Sequence, residues 1–437
     1  MEHSLTTLSG LERRLEIAVP AEQVSAETEQ RLKRLMRSVR IKGFRAGKVP
    51  YAVVRSQYGE QAHMEAVEQL MQLGVSESLG KLQLRPAAPP RIEPIQFAPG
   101  GELRFAALFE VLPQIQLQPL THIQYTQPAA SVTDADVDAM IERMRKQRPV
   151  YTAVQRPAQA GDRVSIAFEG RIDGTVFPGG KGDDLKVVLG AGTILPELDA
   201  ALHGMSVGER KTASAKFPDD YGASSVAGKQ AEFDLNVTAV EASSLPALDE
   251  AFVRSLGLQE GGVAELRAEV RKGMERELAE HIRSQARESL LDALYKAHPL
   301  ELPKSLVEEQ VQELQAQTGR RMGAQNSAQL PGRELFEEPA RRRVALGLLI
   351  GELVRANEIK PDRQQVEARL AAAVQGSRDP EQLRRQYLQS REAMQQLEAG
   401  ALEDAAISFA LSQAKALEKP SNFNELAGYP SAAGSGT

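Results

Sequence analysis

The segment RLKRLMRSVRIKGFRAGKVPYAVVR, residues 31–55, holds nine Lys or Arg residues and no Asp or Glu, in a chain whose formal net charge is −6. A helical pattern precedes its centre, and a second one follows Pro50. Between them, Gly43 and Gly47 permit a close approach of the backbone to a partner, and Phe44 stands among cations. The pattern predicts two helices joined by an exposed basic loop.

Two interpretations of this basic loop are open. A dense run of one charge is often a solvated helix face. Cations also bind phosphate groups and an exposed Phe binds an apolar slot, a combination that fits a partner made of nucleic acid and protein, such as a ribosome. The position of Phe44 favours docking, because an aromatic ring at a loop tip adds little to its own core.

The composition limits the class of protein. With 437 residues, of which 42% are hydrophobic, the chain is globular and is expected to hold two to four domains. The absence of Cys excludes disulfides, thiolate metal ligands and Cys nucleophiles. The first 20 residues lack the apolar core of a signal peptide, and no apolar run approaches the ~18 residues of a spanning helix. We expect a cytoplasmic protein.

The fold class predicted from the hydrophobic patterns is multidomain α+β. Strand alternation and helical periods mix in the N-terminal part, and a helix opened by Thr133 follows in a connector. Alternation at Val164, Ile166 and Phe168, with Asp173-Gly174 as a hairpin turn, predicts an antiparallel sheet with one short helix. The remainder is almost wholly helical and ends in a tail expected to be disordered. The predicted boundaries are 1–112, 113–149, 150–245, 246–420 and 421–437.

Several segments resemble one family. GFRAGKVP, residues 43–50, closely resembles the ribosome-docking signature of the bacterial trigger factor family. Four further segments resemble that family in the same order, so the resemblance covers nearly the whole chain. They are FEGRIDGTVFPGG at 168–180, FPDDYGASSVAGKQAEFDL at 217–235, AEVRKGMEREL at 268–278 and RELFEEPARRRVALGLLIGELVRANEIK at 333–360.

The resemblance implies a three-part chaperone. It would have an N-terminal ribosome-binding domain, an FKBP-like peptidyl-prolyl isomerase domain and an all-α C-terminal domain that holds nascent chains without ATP. The implied partners are the large ribosomal subunit near the exit tunnel, both protein and rRNA, unfolded nascent polypeptides and, off the ribosome, a second copy of the chain. No membrane partner, cofactor or metal is expected. Roles in protein export and cell division are implied by the same resemblance.

The docking residues are carried over from the family's signature. Where relatives often have another Lys, this chain has Ala46, which predicts slightly weaker electrostatic attachment. The docking residues that the resemblance implies are Gly43, Phe44, Arg45, Gly47 and Lys48.

The middle domain shows no nucleophile, triad or metal cluster, and prolyl isomerisation needs none. An apolar pocket that removes water from the amide favours the twisted, less polar transition state over a barrier of ~18–20 kcal/mol. The resemblance implies that the Tyr221 hydroxyl bonds a substrate carbonyl, although each Phe would also serve as a core residue. Leu198 at the usual aromatic platform, and Pro178 where an acid is common, predict a slow enzyme. The implied pocket residues are Phe168, Phe177, Leu195, Leu198, Tyr221 and Phe233.

Other candidate sites are weak. GTVFPGGKG lacks the phosphate-loop order, because Gly182 follows Lys181 where a hydroxyl residue is required. The His residues have no metal-ligand spacing. The apolar stripe of the C-terminal helices, which includes Leu346 and Leu349, is either core or a partly covered surface for unfolded chains. The six His residues are His3, His63, His122, His203, His281 and His298.

Two other functions were weighed. An RNA- or ribosome-binding assembly factor would use the FKBP-like module only as a scaffold, and would not suppress aggregation of an unfolded client. A plain prolyl isomerase would leave the helical C-terminal region without a role. Both differ from a chaperone in activities that can be measured.

Overall fold

The computed structural model of the chain describes residues 2–42, 44, 49–96, 101–223, 225–258, 261–323 and 330–429. Its helices are α1 (Ala21–Ser38), α2 (Tyr51–Lys81), α3 (Asp134–Lys146), α4 (Pro196–Leu202), α5 (Glu250–Ser255), α6 (Val263–Ala297), α7 (Lys304–Met322), α8 (Glu334–Ala356), α9 (Arg363–Val374), α10 (Pro380–Gln389), α11 (Arg391–Gln413) and α12 (Phe423–Ala427). Its strands are β1 (Glu2–Ser9), β2 (Glu12–Val19), β3 (Arg91–Gln96), β4 (Leu103–Glu110), β5 (Gln124–Ala129), β6 (Val150–Ala153), β7 (Arg163–Ile172), β8 (Thr175–Val188), β9 (Arg210–Lys216), β10 (Gln230–Ser244) and β11 (Lys415–Pro420).

The predicted fold class is confirmed. The chain divides into two compact units, the first comprising 1–128 with 283–419 and the second 129–282 with 420–437. Within the helical C-terminal region, β11 is an exception to the all-α prediction, because it forms a two-stranded sheet with β5.

The N-terminal part of the first unit is an antiparallel sheet in the order β1-β2-β4-β3, joined by two helices. Leu15, Ile17 and Phe105 are buried on one face of the sheet and pack in one cluster with Val67 and Leu70 of α2. The sequence patterns do not predict β1 or β3. The residues of β1 are all exposed, and β3 lies in the Pro-rich segment 84–100, whose prolines predict turns.

Two carboxylates of the same sheet contact the start of α7. Glu110 Oε1 accepts a hydrogen bond from Lys304 N at 2.9 Å, and Oε2 accepts from Ser305 N at 2.8 Å and Ser305 Oγ at 2.6 Å. Pro303, which precedes α7, has no side chain that could cap the helix. Glu110 therefore caps α7 from another element. A second contact is the ion pair between Lys304 Nζ and Glu12 Oε1, which are 2.9 Å apart.

We expect Glu110→Gln to lower the free energy of unfolding by about 0.5–2 kcal/mol near pH 7, the range for a lost helix cap. Burial raises the pKa of Glu110, but hydrogen bonds from Ser305 and Lys304 lower it more, and the pKa lies below its ordinary 4.5. The carboxylate thus stabilises the fold above that ordinary pKa, and the stability is lost as the pH falls through the folded-state pKa. Urea unfolding of both proteins between pH 7 and pH 3 tests this.

We expect the difference in free energy of unfolding between wild type and Glu110→Gln to become smaller as the pH falls below 4.5. Glu60→Gln is the matched control, because Glu60 is an exposed residue of α2 and its substitution also removes one negative charge. If this difference in free energy of unfolding stays constant with pH, Glu110 does not act as a charged cap.

The helices of the first unit share one main cluster. Leu346, Leu349 and Leu353 of α8 are buried against α6 and α11, and Ile350 packs at the edge of the same cluster, as the predicted stripe requires. Because Pro lacks an N–H donor, Pro339 in the sequence predicts a kink or the start of a helix. The helix α8 begins earlier, at Glu334, and continues through this proline.

The second unit contains the predicted antiparallel sheet, in the order β6-β10-β7-β8 with β9 also paired to β10. Val164, Ile166 and Leu235 are buried beneath α4. The Asp173-Gly174 turn is confirmed: φ is 51° at Asp173 and 78° at Gly174, as a type I′ hairpin requires.

The predicted disordered tail is wrong for residues 421–429. Phe423 of α12 is fully buried against Val137 and Ile141 of α3 and Met274 of α6, and its ring stacks on Tyr429 at 5.7 Å. This burial stabilises a segment whose composition predicted no structure. Residues 430–437 lie outside the described part of the chain. No helix among the described residues is long and apolar enough to cross a membrane.

Candidate functional site

The loop between α1 and α2 carries the predicted docking residues. Phe44 is 42% exposed, and its N–H donates to Ile41 O at 3.0 Å. Val49, Leu32 and Val54 are buried between the two helices and hold the two ends of the loop together. The other predicted residues, and Ala46, lie outside the described residues: Gly43, Arg45, Gly47 and Lys48.

The charges of this basic segment differ along its length. Arg31 pairs with Glu27 and Glu65, and Lys33 pairs with Glu29, far from the loop. Nearer the loop, no ion pair within the described residues reaches Arg37, Arg40 or Lys42. Three of the segment's described cations that lack an ion pair, Arg37, Arg40 and Lys42, therefore lie within seven residues of Phe44 in the sequence.

The structure brings three of the six predicted isomerase residues into one aromatic cluster, arranged around Phe217. The ring centroid of Phe217 lies 5.8 Å from Phe177, 4.8 Å from Tyr221 and 6.2 Å from Phe233. Phe177 and Phe233 are 6.1 Å apart, edge to face. Phe217 and Phe233 are buried, whereas Tyr221 is 45% exposed, so one ring of the cluster faces solvent.

The other predicted residues pack against the same core without a ring contact to this cluster. Leu198 in α4 is buried, and Leu195, which precedes that helix, is half-buried. Phe168 of β7 is half-buried opposite Leu235. Its ring occupies the space beside Gly182, where a Cβ would lie 2.6 Å from Cε1 of Phe168.

A second glycine is required by the aromatic cluster. A Cβ on Gly170 would lie 2.6 Å from Cε1 of Phe233 and 2.9 Å from Cε1 of Phe177. Real Cβ atoms do not approach this closely, so both rings would have to move. Gly170 thus lets the two aromatic side chains cover the backbone of β7.

Charged groups lie on the other face of this sheet. Because successive side chains of a strand alternate between faces, Glu169 and Arg171 lie on the face of the sheet that is opposite to the face of Phe168 and Gly170. Hydrogen bonds from Lys181 and then Arg171 hold the pKa of Glu169 below its ordinary value. The aromatic face is left apolar, as a pocket that removes water from an amide must be.

The helical part of the first unit contains a groove of about 1440 Å³. Leu306 and Leu314 of α7, Ile350 and Val354 of α8 and Leu402 of α11 line it, with charged residues such as Glu309, Arg343 and Glu403 among them. These five apolar side chains are half-buried. The stripe of α8 is therefore core on one side and groove surface on the other.

Two glycines of α8, Gly347 and Gly351, line this groove. A Cβ added at either would meet no described atom within 4 Å. Glycine inside a helix costs up to about 1 kcal/mol relative to Ala. The two residues are four positions apart and therefore lie on the same face of the helix, which is the face that lines the groove. The structure therefore leaves room in the groove at a cost in helix stability.

Ion pairs hold the helices around the groove. Arg287 of α6 bonds Asp404 and Glu403 of α11, each at 2.7 Å. Arg369 of α9 reaches the second oxygen of Asp404 at 2.8 Å. Burial raises the pKa of Asp404, but the two guanidinium groups lower it more, so the pKa is below its ordinary value. The pairs join α11 to both α6 and α9.

The sequence analysis missed the central ring of the aromatic cluster and the groove glycines. Phe217 is the first residue of the segment FPDDYG, which resembles the family. Of this segment, the resemblance predicts only Tyr221 as a pocket residue. Gly347 and Gly351, four residues apart in a Leu-rich helix, were the available signal for an open helix face.

Comparison with known proteins decides the family. Residues 1–144 match the family model "Bacterial trigger factor protein (TF)", 262–412 match its C-terminal model, and 154–238 match "FKBP-type peptidyl-prolyl cis-trans isomerase". A trigger factor of Thioalkalivibrio sulfidiphilus is 42% identical over 426 residues, 98% of each chain. The chain belongs to the trigger factor family. It is a ribosome-associated chaperone that acts on nascent polypeptides and contains an FKBP-type prolyl isomerase domain, and the assembly-factor alternative is not favoured.

One further relative agrees with this assignment, and one solved structure agrees with the fold. A trigger factor of Aromatoleum aromaticum is 41% identical over 432 residues, 98% of this chain and 99% of its own. The solved structure reported as "Promiscuous Substrate Recognition in Folding and Assembly Activities of the Trigger Factor Chaperone" covers 94% of this chain and 100% of its own, with 19% identity and a TM-score of 0.60. The latter supports the fold.

Proposed function

We propose that prolyl isomerisation takes place over the cluster of Phe177, Phe217, Tyr221 and Phe233, with Phe168, Leu195 and Leu198 supporting it. The observation that carries this proposal is that the exposed Tyr221 packs edge-on against Phe217, whose ring in turn packs against Phe177 and Phe233. An X-Pro bond lying on this face would lose water, which favours the twisted amide. The exposed Tyr221 hydroxyl would donate to a substrate carbonyl.

Catalysis here requires only preferential binding of the twisted bond. Each 1.36 kcal/mol of that preference gives about tenfold in rate. The pocket lacks an aromatic residue at Leu198, which is buried in the core, and this supports the prediction of a slow enzyme. No proton transfer is needed, so the charged residues of the opposite face have no catalytic role in this mechanism.

The ribosome would be bound by the loop around Phe44, with Gly43, Arg45, Gly47 and Lys48 as proposed docking residues. Arg37, Arg40 and Lys42, which have no ion pair with any described residue, support an rRNA contact near the exit tunnel, because phosphates attract such charges. The exposed ring would enter an apolar slot of a ribosomal protein.

Unfolded chains would be held in the groove lined by α7, α8 and α11. Its half-buried Leu, Ile and Val side chains offer apolar surface without a fixed shape, which suits weak and adaptable binding. The domain boundaries at 112, 149, 245 and 420 stay a prediction, as do cytoplasmic localisation and a homodimer off the ribosome.

We expect Gly170→Ala to slow catalysed refolding of a proline-limited protein at least tenfold, because the new methyl group displaces Phe177 and Phe233. The uncatalysed phase of such a protein takes ~10–100 s and is easily followed by fluorescence. Ribosome co-sedimentation, which depends on a different element, should not change.

Gly222→Ala is the matched control, since a Cβ at Gly222 would meet no described atom within 4 Å. It adds the same methyl group to the same domain and should retain catalysis. If Gly170→Ala catalyses as fast as Gly222→Ala while both remain folded by circular dichroism, the aromatic cluster is not the isomerase site.

A further inference from the structure

The first strand of the N-terminal sheet has an open side. β1 pairs only with β2 among the described residues, and all eight of its side chains are exposed. Two of them are apolar: Leu5 is 37% exposed and Leu8 is 49% exposed. A row of backbone N–H and C=O groups on such an edge is a template for another strand.

The register identifies the groups that face the open side. Val111 N donates to Leu11 O, so the odd-numbered residues of β2 bond to β4 and its even-numbered residues bond to β1. Thr6 pairs with Arg14, which places the even-numbered residues of β1 against β2. The residues whose backbone groups point to the open side are His3, Leu5 and Thr7.

The other described sheet edges are blunted by Pro, by cations or by their length. On β3, Pro94 is paired with Phe105 and therefore occupies an outward-facing position, where it removes the donor. β9 carries three Lys or Arg residues, β8 contains Pro178, β5 and β11 contain Pro, and β6 is four residues long. Among the described edges, β1 alone has eight residues and neither Pro nor Lys nor Arg.

We propose that β1 binds an extended segment of an unfolded polypeptide by strand addition, through the outward N–H and C=O groups of His3, Leu5 and Thr7. This inference rests on the proposed function, because the chain's clients are polypeptides whose own backbone groups are unpaired. Main-chain bonds do not read side chains, so this site would accept many sequences. Leu5 lies beside Leu15 of the core face and favours an apolar client residue next to it.

The test uses the full-length chain and a fluorescent ten-residue peptide of alternating Val and Thr, measured by anisotropy. Its counterpart is N-methylated at alternate residues, which keeps the side chains and removes the donors. Leu5→Pro removes an outward donor that the sheet does not use, and Leu5→Val is the matched control that retains it. We expect the N-methylated peptide and Leu5→Pro each to weaken binding about tenfold, equal to about 1.4 kcal/mol.

Equal affinity of wild type for both peptides overturns the proposal, and this comparison does not depend on how well Leu5→Pro folds. Loss of binding in Gly347→Trp/Gly351→Trp, with none in Leu5→Pro, would place the peptide in the groove: the strand site fails and the proposed function stands. A change in sedimentation of Leu5→Pro without a change in peptide affinity would make a second copy the occupant. Slow hydrogen exchange of the outward N–H groups of His3, Leu5 and Thr7 without peptide would show that the edge is already covered, which also contradicts the proposal.

Discussion

Phe44→Ala combined with Arg45→Ala and Lys48→Ala is expected to reduce ribosome co-sedimentation to background. Phe44 is exposed, so its loss removes no core contact, and the neighbouring helices are held by Val49 and Val54 independently of the loop tip. Loss of the ring would remove the proposed apolar contact, and loss of two cations would remove the proposed phosphate contacts. The fold should survive, as circular dichroism would show.

A salt series sharpens this prediction. Binding of wild type to ribosomes should weaken as the salt concentration rises. In a plot of the logarithm of the association constant against the logarithm of the salt concentration, each phosphate contact should contribute about −0.7 to −0.9 to the slope. The matched control is Ile95→Ala with Arg91→Ala and Lys81→Ala, one exposed apolar residue and two exposed cations of the same N-terminal region. Co-sedimentation of the docking variant at wild-type affinity would show that the loop is a solvated face.

Gly347→Trp with Gly351→Trp is expected to remove most suppression of aggregation. Two indole rings, each able to cover 150–250 Å², would occupy the groove from α8, where a Cβ now meets open space. An unfolded client should bind about tenfold more weakly or worse. Replacement of Gly raises helix propensity, so the thermal unfolding midpoint should not fall.

Gly273→Trp is the control for the groove variant. Gly273 also lies inside a helix with open space beside it, yet it is not among the residues that line the groove. The Gly273→Trp variant should suppress aggregation of a chemically unfolded client as wild type does. Equal suppression by the groove variant and by this control would move the chain-holding surface elsewhere.

The loop between α1 and α2 and the central sheet could be predicted because their signals are local. A one-sided charge run, a Gly-Phe pair and the alternation at Val164, Ile166 and Phe168 are all visible within a few residues. The Thr133 cap is confirmed for the same reason: its hydroxyl accepts from Asp136 N and forms a capping box. Short-range chemistry decides these features.

Features that depend on distant packing could not be predicted. Phe423 is buried only because α3 and α6 provide its pocket, and its flanking Ala, Gly and Ser residues predict disorder. Phe217 is central because strands and loop bring three other rings to it. β1 shows no amphipathic pattern, since neither of its faces is covered. In each case the deciding contact lies far away in the sequence.

The central claim is that one chain holds unfolded segments and isomerises X-Pro bonds at separate sites. The most direct measurement is aggregation suppression and catalysed refolding by a chain from which 150–245 has been excised. The excision is geometrically simple, because Val150 and Ser244 are neighbours in the sheet, with Ser244 Oγ donating to Val150 O at 3.3 Å. The account predicts that holding is retained and catalysis is lost. Loss of holding, or equal suppression by the isolated 150–245 fragment at the same molar concentration, would contradict it.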